Sequence, residues 1–177
     1  MPTNTRKSSA GLRFKSGNLL LIKLGTAAWE GLGNIISGKL GLKTEEVSVK
    51  YADNSTASGE GASSCNITIE LAQVNKDVID RVLEICGSEV KLYYNNGSNG
   101  VSTQEIFADK VIFKKDIDWE MKASTHQKIN LTGLINPADN GLCVCVPDTD
   151  LPDDAKASGL TAVDSNNPYF VILETTD

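Results

Sequence analysis

His126 is the only histidine in the 177 residues, and it sits in the polar run Lys122-Ala123-Ser124-Thr125-His126-Gln127. A nucleophilic triad would need a Ser or Cys and a carboxylate to converge on it, and no Gly-x-Ser-x-Gly elbow accompanies it. Asp116, Asp118 and Glu120 share one side of an alternating stretch. That spacing could serve acid–base work or hold calcium, but Lys110 and Lys114 nearby make a solvated strand face the simpler account. Cys143 and Cys145 share a face of Leu142-Cys143-Val144-Cys145-Val146. Zinc wants about four convergent Cys or His ligands, and one C-x-C with one histidine does not supply them. Cys65 and Cys86 fall on apolar faces and read as small buried thiols in reducing surroundings. Asp148-Thr149-Asp150 and Asp153-Asp154 lack the spacing and glycine pivot of a calcium loop. Gly25, Gly31 and Gly33 open no helix, so they make no dinucleotide site, and there is no phosphate loop. We therefore expect no catalytic, cofactor or metal residues, and no enzyme.

The charges point the same way. The chain carries a net charge of −6 and 40% hydrophobic residues. Nucleic-acid affinity comes largely from Lys and Arg on phosphates, so an acidic chain repels DNA rather than clamping it. Its few aromatics are not interleaved with basic residues, which argues against a stacking platform. The charge is unevenly placed. Residues 1–29 hold Arg6, Lys7, Arg13, Lys15 and Lys23 and no acid, whereas residues 139–166 hold six Asp against Lys156. The sharper reading of this asymmetry is a basic end of one copy meeting the acidic stretch of the next. On that reading Arg6, Lys7, Arg13 and Lys15 face Asp148, Asp150, Asp153 and Asp154 as inter-subunit contacts. No apolar run is long enough to span a membrane, and no signal peptide is expected from the polar N-terminus.

The elements that must carry these residues are strands, with one exception. Cys65, Ile67, Ile69 and Leu71 alternate with Asn66, Thr68 and Glu70, the pattern of a half-buried strand. Directly after it the period changes. Val78, Ile79, Val82, Leu83, Ile85 and Cys86 form a helical stripe, with Asn75 as cap, Asp77 in the first turn and Gly87 to close it. Further strands are expected near 18–24, 34–42, 46–51, 89–94, 106–122, 127–135, 142–146 and from Tyr169 onward. Val111, Phe113, Ile117, Trp119 and Met121 are expected to face inward. Short strands with turn signals and no βαβ alternation indicate a mainly β fold, an antiparallel β-sandwich or barrel with one short α-helix at about 75–86. The expected organisation is a flexible N-terminal segment over 1–10 and one β-sandwich domain over 11–177. Two loops interrupt it: a mobile one at 53–63, where Gly, Ser, Ala and Thr leave no apolar anchor, and an acidic one at 147–168.

The order of these elements resembles the tail tube, or major tail, proteins of tailed bacteriophages. The resemblance is carried by an opening strand (17–24), the turn Leu32-Gly33-Asn34, a strand rich in Glu, Val and Lys (44–51) and the Gly/Ser stretch 53–64. The alternating strand 67–71, the helix 75–86 with Gly87 and the later strands complete it, over about 14–136. The acidic stretch 147–168 and the last strand depart from the pattern. The resemblance implies a structural virion protein, assembled in the host cytoplasm, that forms stacked rings, usually of six, around a channel for DNA. Its implied partners are copies of itself and other tail proteins. DNA would pass without specific binding, and no membrane and no cofactor would take part. A tube-end adaptor, a head decoration protein or a non-catalytic carbohydrate- or protein-binding β-sandwich are the alternatives.

Overall fold

The computed structural model describes residues 12–14, 20–53, 55–72, 75–98, 102–115, 118–120, 128–153, 155 and 162–176. The first strands are β1 (Leu12–Phe14), β2 (Leu20–Leu24), β3 (Glu30–Gly31), β4 (Asn34–Lys50) and β5 (Thr56–Ala72). Helix α1 (Lys76–Ile85) follows, then β6 (Glu89–Ser98), β7 (Ser102–Phe113), β8 (Asp118–Glu120) and β9 (Lys128–Ile135). The remainder comprises β10 (Val144–Cys145), helix α2 (Pro147–Asp150), β11 (Val163–Asp164) and β12 (Val171–Thr176). The pairing is antiparallel throughout, and the fold is mainly β.

One sheet runs β1-β4-β5-β9-β7-β6-β2-β3, and it bends where β7 meets β9. Those two strands pair only over Val111–Phe113 and Ile135–Gly133. Away from that corner they diverge. The first half of β7 pairs with β12, from Ser102 to Phe107, and the first residues of β9 pair with β8. The halves on either side of the corner pack on each other. Leu40, Ile67, Ile69, Leu71 and Leu131 from one half join Leu20, Ile22, Leu92, Tyr94 and Ile106 from the other in one buried cluster. Burial of a large aliphatic side chain contributes roughly 1.5–3 kcal/mol, so this cluster is the main stabilising element.

Helix α1 covers the cluster with Val82 and Ile85. It starts where the sequence indicates: the Asn75 side chain accepts from the Val78 N–H at 3.0 Å. Gly87 takes φ +81° after the helix and donates its N–H to the Phe113 carbonyl at 2.9 Å, leading the chain into β6. Arg81 reaches from the helix to the Glu30 carboxylate at 3.0 Å and to the Gly31 carbonyl, tying α1 to β3.

β6 and β7 are buried on both faces. Their second face forms a smaller cluster in which Tyr93, Phe107, Val171 and Leu173 pack under Cys143, Cys145, Leu151 and Ala155. The C-x-C spacing does place both thiols inward, and burial pushes the Cys143 thiol up to about 11 and Cys145 higher still. Cys65, on the main core, is likewise pushed up to about 11 by burial. These thiols are protonated core side chains at neutral pH. Beneath this cover Glu105 is fully buried and accepts a 2.6 Å hydrogen bond from the Tyr93 hydroxyl.

Two sequence expectations need correction. Residues 56–63, expected as a loop, are strand: β5 begins at Thr56 and pairs with β4 from the turn inward. Backbone bonds to Glu46–Lys50 hold this stretch, so it needs no apolar anchor of its own. The acidic stretch 147–168 is not loop throughout either, since it contains α2 and β11, so the helix at 76–85 is not alone. Proline at the first position of α2 has the φ a helix start requires, and Asp150 accepts from the Val146 N–H at 2.8 Å. Of the expected inward row, Val111 and Phe113 are fully buried and Trp119 lies in β8, while Ile117 and Met121 fall outside the described residues, as does His126 of the polar run.

Tyr93→Phe should lower stability by about 1–3 kcal/mol, because it removes a donor from a buried carboxylate. The check is the thermal midpoint. An unchanged midpoint would mean the Tyr93–Glu105 bond contributes nothing net.

Candidate functional site

β4 and β5 are 17 residues each and form one hairpin, longer than anything else in the fold. Its root is held on both sides. β1 pairs with Gly38–Leu40 of β4, and β9 pairs with Cys65–Ala72 of β5. Glu70 fixes the root further. It accepts from Lys128 at 2.8 Å and from the Ser37 hydroxyl at 3.1 Å, and these bonds, Lys128 foremost, hold its carboxyl below the usual range. Beyond the root, no strand among the described residues pairs with Gly41–Lys50 on the outer side of β4, or with Thr56–Ser64 on the outer side of β5. Among the described residues the distal part is therefore a two-stranded arm with both edges open.

The turn at its tip is closed locally. The Tyr51 N–H bonds the Ser55 carbonyl at 2.9 Å, and Asp53 accepts from the Ser55 hydroxyl at 2.6 Å and the Ser55 N–H at 2.9 Å. The Ser55 bonds, that of the hydroxyl first, lower the Asp53 pKa. An Asx-type turn of this kind suits a short connection.

The apolar side of the hairpin changes along its length. At the root, Leu40 faces the core, with Leu42 packed against it. At the tip, Val47, Val49 and Tyr51 are 49%, 51% and 55% exposed. Leu40 and Leu42 are even-numbered and the tip residues odd-numbered, so with a period of two they lie on opposite faces. The register shift at this point leaves β4 regular. Thr44 pairs with Ser63 and Glu46 with Glu60, so the extra residue belongs to β5, among Gly61 and Ala62. A Cβ on Gly61 would lie 2.5 Å from Val47 Cγ2 and 3.1 Å from the Glu45 carbonyl oxygen. The bulge therefore requires glycine for close approach. Opposite the ridge of Val47 and Val49 stand Gly59 and Ala57, so the tip presents a raised apolar row beside a shallow one.

A shorter exposed apolar row, Leu142, Val144 and Val146, alternates with buried Cys143 and Cys145 on the outward side of β10. It overlies the second cluster, at the start of the acidic stretch. Four of the eight contact residues expected from the sequence are described. Asp148 and Asp153 are exposed beside this row. Asp150 is engaged inside its own chain, 3.3 Å from Lys91, which also meets Asp109 at 3.0 Å. Arg13 lies in β1 opposite Lys39. Arg6, Lys7, Lys15 and Asp154 fall outside the described residues. Among the described residues no three His, Cys, Asp or Glu side chains gather as a metal site, and no helix is long and apolar enough to cross a membrane.

No family model and no curated protein matches the chain. Among solved structures it is similar to a chain in the virion of a native gene transfer agent particle, with 16% identity and a TM-score of 0.46. It is also similar to a chain in the tail of an empty gene transfer agent particle of C6 symmetry, with 17% identity and a TM-score of 0.44. Each match covers 67% of this chain and 92% of the other.

Gly61→Ala should loosen the arm while sparing the body, at a cost of about 1–3 kcal/mol from overpacking against the Glu45 backbone. Amide exchange at 56–60 should quicken while β9 stays protected. Equal exchange at 56–60 in both proteins would show that Val47 simply turns away.

Proposed function

We propose that this chain is a structural virion protein that assembles with copies of itself into stacked six-fold rings, forming a tail tube for DNA. The arm is the observation that carries this reading. It combines two open strand edges with an apolar face, each of which favours association or aggregation unless covered. Its three exposed apolar residues sit at one end of the molecule, where nothing in the same chain covers them among the described residues. An arm that docks on the body of the next copy makes a heterologous contact, which repeats into a ring or an open filament. The order of elements that resembles tail tube proteins supports the same reading, as does a net charge of −6, which keeps a channel wall from holding DNA. Other tail proteins would meet the ends of the tube.

Polar contacts between stacked copies would run from Arg6, Lys7, Arg13 and Lys15 on one side to the acidic residues Asp148, Asp153 and Asp154 on the other, of which Asp148 and Asp153 are exposed. Asp150 contributes through Lys91, by fixing α2 in place.

Concentrated protein should form rings or tubes in negative-stain images. The double substitution Val49→Asp and Tyr51→Asp should leave a monomer in sedimentation velocity, with an unaltered circular dichroism spectrum. A wild-type chain that stays monomeric at high concentration would overturn the proposal. Exposed charge pairs are screened beyond about 3 Å in molar salt, so salt at that level should separate stacked rings while leaving single rings intact. Tubes that persist unchanged would assign stacking to apolar contacts instead.

A further inference from the structure

Where β4, β5, β9 and β7 lie side by side, Leu40, Ile67, Leu131, Ile135, Val111 and Phe113 turn into the core. The residues between them turn outward, and the ladder aligns these in three rows. Lys39 lies opposite Thr68 and Thr68 opposite Thr132, whose carbonyl accepts from the Lys114 N–H at 2.8 Å. In the next row Gly41, Asn66, Leu134 and Ile112 stand each opposite the next. Lys43 and Ser64 begin the third row. It ends at Asn136, which donates its N–H to the Lys110 carbonyl at 2.8 Å. Four lysines thus mark the corners of a frame about 13 Å along the strands and about 14 Å across them. Leu134, 43% exposed, lies inside it, and a Cβ on Gly41 would meet nothing within 4 Å.

No carboxylate stands in these rows. Asp139 engages Lys110 at 2.8 Å from the turn after β9. Lys39, Lys43 and Lys114 are exposed, and among the described residues no carboxylate pairs with them. Arg13 lies opposite Lys39 at the end of the first row.

We propose that this frame receives the acidic second layer of a stacked copy. Lys39, Lys43 and Lys114 meet Asp148 and Asp153 of that copy, around an apolar contact between Leu134 and its row of Leu142, Val144 and Val146. The proposal rests on the reading that copies stack, and it adds the described surface on which the acidic residues land. Charge complementarity is the first support: cations without partners on one surface, exposed carboxylates on the other, in a chain whose net charge is −6. The second is the apolar centre. An apolar patch with a charged rim is the anatomy of a protein interface, whereas a phosphate backbone calls for cations throughout. Placement is the third. The main cluster lies between the two half-sheets, and the acidic layer covers the far face of the other half-sheet through Tyr93 and Phe107. Frame and acidic row therefore look out from opposite sides of the molecule. One chain cannot bring them together, but successive copies can, in a heterologous contact that repeats without closing. Lys39 and Lys43 also share the outer face of β4 with Val47 and Val49, so the frame and the arm present to the same side.

The test compares four chains by negative-stain imaging and sedimentation velocity over a concentration series. They are wild type, Lys39→Glu with Lys43→Glu and Lys114→Glu, Asp148→Lys with Asp153→Lys, and both sets combined. The concentration needed for tubes should rise roughly tenfold or more in each single-set variant, because like charges then face each other. It should return to the wild-type value in the combined chain, where both surfaces are reversed, and that chain should not extend wild-type tubes. A lysine variant that forms tubes at the wild-type concentration would overturn the proposal and leave the tube reading standing. So would a combined chain that keeps the wild-type circular dichroism spectrum but forms no tubes. Duplex DNA retained by wild type and released by the lysine variant would assign the frame to nucleic acid instead. A wild-type chain that forms neither rings nor tubes would remove the stacking reading itself, and this proposal with it.

Discussion

A β-strand is stable when something covers both its edges and at least one of its faces, and the β4–β5 hairpin meets that condition along only part of its length. Its root lies between β1 and β9 and turns Leu40, Ile67 and Ile69 into the core. Among the described residues its tip has neither flanking strand, and its apolar residues are on the other face. The bulge at Gly61 marks the passage between the two regimes. An isolated two-stranded ribbon is marginal in water, so the tip depends on the root below it and on what comes to lie against it. The role proposed for the arm follows from that unfinished covering.

The root in turn depends on the corner between β7 and β9. β7 is flanked by β6 on one edge and shares the other between β12 and β9. Packing on both faces makes it the strand least free to move. The main cluster lies on one side, and Tyr93, Glu105, Phe107 and the two inward thiols lie on the other. Lys91 ties that second layer to the sheet through Asp109 and Asp150, and its ammonium lies over the Phe107 ring, 5.8 Å from the ring centre. Burial opposes this charge, but the two carboxylates outweigh it and raise the Lys91 pKa. A rigid body of this kind can carry a projecting arm at a defined angle.

Much of the body was legible in the sequence because burial writes itself as period. Cys65–Leu71 alternates cleanly and is a central strand, and the stripe from Val78 to Ile85 with Asn75 before it is the helix. The arm was not legible. Thr56-Ala57-Ser58-Gly59-Glu60-Gly61 has the composition of a loop, and it is a strand only because Glu46–Lys50 lies alongside. Val47, Val49 and Tyr51 were visible as a strand, but nothing in their alternation tells an exposed face from a buried one. The bonds of Asp150 to Lys91 and of Tyr93 to Glu105 join residues whose separation in sequence carries no signal. The C-x-C motif was legible as inward-facing, but the second core beneath it was not, since Val90, Leu92 and Tyr94 alternate with Glu89 and Lys91 as in a strand buried on one face.

The most direct measurement is a cryo-electron microscopy reconstruction of the concentrated protein. The account predicts repeating density in which each arm lies against a neighbouring copy, with Val47, Val49 and Tyr51 buried in that contact. Assemblies whose arms stand free in solvent, joined through some other surface, would contradict it.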